Sequence, residues 1–173
     1  VSHYLDLAIR ILEKGYLMSP DKYAEALGDL YHNKAIFYTV YGENYYQAVQ
    51  VFKECEKVYL YLYNKNPVRG GLGLGECYIQ MANEYESLGN SRKAIAYSEK
   101  GISLLEELTE INRERYVIKL AWAYCETGQM YLLLNAKKKI SEVATAIEFL
   151  CKCLDILEAT ENQFIQHKQG AFV

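Results

Sequence analysis

The chain has no apolar run long enough to cross a bilayer, no large surplus of one charge and no paired-cysteine metal motif, and each absence removes a class of function. The opening "VSHYLDLAIR" also lacks the basic start, apolar middle and small-residue cleavage site of a signal peptide. The expected location is therefore the cytoplasm, with no membrane partner, for a chain that opens on Val and reads as a piece of a longer one. Its 22 acidic and 19 basic residues are interspersed, so no basic face is built to hold a phosphate backbone, and nucleic acid is not an expected partner. The one basic cluster, Lys137 to Lys139, is expected in a solvated loop. Five cysteines form an odd set without a CxxC pair, which points to free thiols in a reducing compartment rather than to zinc or a disulfide framework. The three histidines, His3, His32 and His167, fall in different parts of the chain, and none stands as base to a Ser or Cys. We therefore expect no catalytic residues, cofactor or metal, and a non-enzyme.

What the sequence has in quantity is tyrosine, 17 residues, and a local excess of glycine in "NPVRGGLGLGE", where four glycines fall between Gly70 and Gly75. Three segments align without gaps: "DKYAEALGDLYHNKAIFYTVYG" from Asp21, "VRGGLGLGECYIQMANEYESLG" from Val68 and "ERYVIKLAWAYCETGQMYLLLN" from Glu114. Tyrosines coincide at Tyr31, Tyr78 and Tyr124 and again at Tyr38, Tyr85 and Tyr131. Small residues coincide at Ala35, Ala82 and Gly128, and the segments close on Gly42, Gly89 and Asn135. Each is followed by a second segment that opens on Ala: "QAVQVFKECEKVY", "KAIAYSEKGISLL" and "TAIEFLCKCLDIL". The chain also starts with one, "LAIRILEKGYL", which puts Ala8 in the place of Ala48. Residues such as Ala146, Phe149, Leu150, Cys153, Leu154 and Leu157 recur at spacings of three and four, the stripe of an amphipathic helix. The unit is helix, turn, helix, repeating after 47 and then 46 residues.

In this register Gly71, Gly73 and Gly75 take the places of Ala24, Ala26 and Gly28, and of Val117, Lys119 and Ala121 in the third copy. They belong to the start of a helix. A nucleotide loop would need a strand before it and, in the Walker form, Lys-Ser/Thr after it, whereas a Tyr-rich helix precedes and "ECY" follows. Glycines in a helix cost about 1 kcal/mol each against alanine, so close packing on the preceding helix is the expected compensation. Cys55 and Cys153 share a position with Gly101, which predicts a small buried contact and no nucleophile. Six of the tyrosines occupy the two repeated positions, which predicts packing with hydroxyls left to reach partners.

The order Tyr78, Ala82, Tyr85, Gly89, Ala94, Gly101 resembles the tetratricopeptide repeat, and the likeness extends over nearly the whole chain. The departure is length, since that unit is usually about 34 residues. The longer step here resembles kinesin-light-chain-type repeats. The resemblance implies an all-α fold, a right-handed α-solenoid of antiparallel helix hairpins, as one repeat domain. Its expected parts are residues 1–18 as the second helix of an incomplete repeat, repeats at 21–64, 68–110 and 114–160, and 161–173 as the start of a further helix or a C-terminal cap. Both ends should then expose apolar surface.

The resemblance further implies a protein or peptide-binding scaffold that uses the concave face, built from first-helix residues beside the packing stripe. Carried across, that face comprises Asp29, His32, Asn33, Ile36 and Thr39, then Glu76, Ile79, Gln80, Asn83 and Glu86, then Trp122, Cys125, Glu126, Gln129 and Leu133. His32, Ile79 and Cys125 stand where chaperone-tail-binding relatives hold a carboxylate with lysine, so that specificity is not expected. A mixed apolar and acidic face suits a neutral or basic segment. Trp122 is expected to look into the groove, the alternative being packing near Phe164. Two other roles fit the same pattern: a regulatory sensor that binds a short signalling peptide and changes curvature, and a self-assembly module that pairs through its terminal helices.

Overall fold

A computed structural model describes residues 2–42, 44–134 and 140–170, and the side chains within 3–42, 44–133 and 141–162. Among the described residues every regular element is a helix: α1 (Ser2–Met18), α2 (Pro20–Gly42), α3 (Tyr45–Lys65), α4 (Pro67–Ser87), α5 (Ser91–Ile111), α6 (Arg113–Leu134) and α7 (Ile140–Gly170). This is an all-α helical repeat. The chain divides into two compact units, Val1–Leu108 and Thr109–Val173. The lysine run at 137–139 lies outside the described residues, as does Asn135.

Asparagines start four of the helices. The side chains of Asn44, Asn66, Asn90 and Asn112 accept from the backbone N–H three residues on, at 3.0, 3.1, 3.3 and 3.1 Å, which satisfies a donor the helix itself leaves unpaired. Asn66 is also the C-cap of α3, its N–H bonding the Leu62 carbonyl, and its extended backbone (φ −151°) turns the chain in a single residue before Pro67 opens α4. At the other end of α4, Gly89 takes φ +71°, and the Asn90 N–H returns to the Tyr85 carbonyl at 2.8 Å. Gly42 was expected to do the same for α2 but is the last helical residue there, and Gly89 alone among the described glycines has positive φ.

In the first unit, α2 packs on α3 and α4 packs on α5. The single-residue joints Ser19 and Asn66, 47 residues apart, set α1 in step with α3. Ala8 thus stands opposite Cys55 and not Ala48, which corrects the register expected for "LAIRILEKGYL". The packing explains why: a Cβ on Gly15 of α1 would lie 3.0 Å from the Tyr23 ring of α2, whereas at the equivalent α3–α4 contact the bulk is Leu62 and the small residue is Gly70. The two joints fill the same space from opposite sides. α1 leaves Ile11 61% and Met18 87% exposed.

The glycines of α4 serve close approach. A Cβ on Gly70 would come within 2.6 Å of the Leu62 carbonyl carbon, and one on Gly71 within 2.8 Å of the Leu108 side chain. Gly28 and Gly73 press on Tyr59, whose ring lies between α2 and α4 and whose hydroxyl donates to Asp29. Burial first, and then that bond, push the Tyr59 phenol well above its ordinary range. The small positions also behave as read from sequence: Cys55 is fully buried with its thiol on the Gly28 carbonyl, and Gly101 lies under Ile79. Tyr85 and Tyr97 stack at 5.4 Å, with Tyr78 at 5.9 Å and Lys100 over Tyr97 at 4.8 Å.

The second unit repeats this arrangement with its own residues. Tyr124 and Tyr131 flank Phe149 at 6.0 and 5.8 Å, Lys152 lies 5.5 Å over Tyr124, and Gly128 meets the Ala146 carbonyl. The break expected near Glu161 does not occur: α7 runs unbroken to Gly170. No proline follows, and Thr160 turns its hydroxyl back to the Ile156 carbonyl at 2.8 Å instead of capping a new helix.

Candidate functional site

One stripe of each first helix carries the residues that the sequence singled out. On α2 it runs through Asp29, Asn33 and Ile36, on α4 through Glu76, Gln80 and Asn83, and on α6 through Trp122, Glu126, Gln129 and Leu133. Residues four and three apart recur on one side of a helix that turns 100° per residue, so each set is a single track. Asp29, Asn33, Gln129 and Leu133 are exposed; Ile36, Glu76, Gln80, Asn83, Trp122 and Glu126 are half-buried. Asp29 already accepts from Tyr59, and the Gln129 amide donates to the Cys125 thiol at 3.3 Å.

A second family of expected residues faces elsewhere. Ile79 is buried to 1%, packed where a Cβ on Gly101 of α5 would lie 2.6 Å away. It leaves the candidate surface. Its register equivalent His32 sits edge-on to Phe52 of α3 at 5.6 Å, and Cys125 shares a thiol contact with Cys153 of α7. All three thus point at their own second helix. They lie three residues on from the head of each track, about 60° round from it, on the side that meets the second helix. Glu86 is half-buried. Thr39 spends its hydroxyl between helices, donating to Glu84 Oε1 at 2.6 Å.

Glu84 is the residue that sequence reasoning missed. It is 2% exposed, its Oε2 has no hydrogen-bond partner, and burial pushes its carboxyl above the ordinary range while the Thr39 bond pulls the other way. The signal was legible as a mismatch: the equivalent positions carry Phe37 and Met130, both apolar. No group of three or more metal-ligating side chains occurs among the described residues, and no described helix is long and apolar enough to cross a membrane. The Phe164 side chain lies outside the described residues.

Residues 75–113, from the last of the clustered glycines through the Gly89 turn and all of α5, match the family profile of the tetratricopeptide repeat. No curated protein matches the chain.

Proposed function

We propose that this chain, which carries a tetratricopeptide repeat, is a protein-interaction scaffold that binds a partner segment along the tracks of its first helices. The observation that carries the reading is the recurrence of polar and aromatic residues at equivalent track positions, Asp29, Glu76 and Trp122 at the head of each, on helices that each bury a separate apolar stripe. Each track is chemically mixed along its helix, and suits a peptide better than a small molecule. The carboxylates favour a neutral or basic segment. On the α6 track, Trp122 is the aromatic anchor.

The test is Trp122→Ala, compared with the unmodified chain in capture of partners from the native extract and in thermal unfolding. Captured partners should bind about tenfold more weakly, ~1.4 kcal/mol, while the melting temperature moves little. A large loss of stability with affinity unchanged would place Trp122 in the core and move the binding row elsewhere. A second reading, self-association, rests on the exposed Ile11 and Met18 of α1, and a mass independent of concentration in sedimentation equilibrium would reject it.

A further inference from the structure

The first unit contains the same three-helix junction twice, and only one copy is closed. In α1, α2 and α3, the Tyr31 hydroxyl donates to Glu13 at 2.6 Å, the Tyr16 ring meets Tyr61 edge-on at 5.9 Å, and Lys57 pairs with Glu54 at 2.7 Å. Stepping on by 47 and 46 residues gives the junction of α3, α4 and α5, where Tyr63 and Tyr78 keep the places of Tyr16 and Tyr31. The residues that closed the first copy are replaced: Glu13 by Leu60, Tyr61 by Glu107, Lys57 by Ser103 and Glu54 by Lys100. The result is an open cleft of about 320 Å³, floored by Leu74 and Leu104 with Leu60 on its rim, 41% exposed.

We propose that this cleft docks a partner segment carrying an aromatic residue between an acidic and a basic one. The ring takes against Tyr63 the place that Tyr61 fills against Tyr16, on an apolar floor of the right size for one large side chain. Glu107, exposed and accepting only the Tyr63 hydroxyl at 3.2 Å, meets the basic group. Lys100, held over Tyr97 at 4.8 Å and Tyr78 at 5.5 Å, meets the acidic one. The two charges stand seven residues apart on α5, about 10.5 Å along the axis, which an extended segment spans in about three residues. The site is lined by α3 and α5 with Leu74 and Tyr78 of α4, and it includes none of the residues of the first-helix tracks.

The probe is the capped peptide Gly-Glu-Phe-Gly-Arg-Gly, titrated to about millimolar concentration, the weak range expected of so small a contact, into the isotope-labelled chain and followed by amide NMR. Saturable shifts are expected at Leu60, Tyr63, Ser103 and Glu107, weakened about tenfold when the peptide's Phe is replaced by Ala. Glu107→Tyr restores the closing tyrosine of the first junction and should abolish the shifts with the helical circular dichroism unchanged. Leu60→Glu gives a second reading should that variant not fold. No saturable shift at these amides, or a titration indifferent to whichever variants fold, overturns the proposal.

Discussion

Replacing Glu84 by methionine is expected to raise the unfolding free energy at pH 7 by about 1–3 kcal/mol. The carboxylate is desolvated between α2 and α4, with one oxygen bonded to Thr39 and the other bonded to nothing. Methionine already fills the equivalent place in the third copy, where Met130 is 3% exposed. Thr39 keeps an acceptor after the change, since the Ala35 carbonyl lies 3.3 Å from its hydroxyl. The pH dependence has a definite sign. Burial raises the folded-state pKa of Glu84 above its unfolded value, so folding favours the protonated form. The penalty is full above the folded pKa and is relieved as pH falls through it towards the unfolded value. Glu84→Gln should therefore be more stable than the unmodified chain at neutral pH, by a margin that narrows on acidification. Urea unfolding at pH 7 and pH 5 measures both, and a methionine variant less stable at pH 7 would show that the carboxylate has a partner that the geometry does not provide.

Gly70→Ala should have the opposite effect, a loss of about 3–5 kcal/mol, despite alanine's advantage of ~1 kcal/mol in a helix. The added methyl meets backbone: the Leu62 carbonyl carbon at 2.6 Å, with the Tyr63 amide nitrogen also in its path. A side chain can change rotamer, but here α3 and α4 must separate, and with them the seat of Tyr59. Gly42→Ala is the control, because its nearest neighbour is the Asn44 Cβ at 3.9 Å, an ordinary contact. If the two variants unfold within about 1 kcal/mol of each other, the glycines of α4 are not there for close approach.

The sequence by itself determined the repeat. Helical period and the coincidence of Tyr78 with Tyr124 and of Ala82 with Gly128 are strictly periodic properties, and they suffice to reveal a helical repeat and to remove the nucleotide-loop reading of Gly70–Gly75. They also show which residues share one side of a helix. They do not show what lies against that side. Ile79 and Glu84 look alike as positions off the tyrosine stripe, yet one meets Gly101 and the other Thr39, partners 22 and 45 residues away. The register of α1 could not be read from its alanine, because Gly15 and Tyr23 exchange the roles of Leu62 and Gly70 and only the pair conserves volume. Tertiary structure likewise decided that one junction closes and its copy stays open. That difference is a sum of side-chain volumes drawn from three helices, and no single segment of the chain contains it.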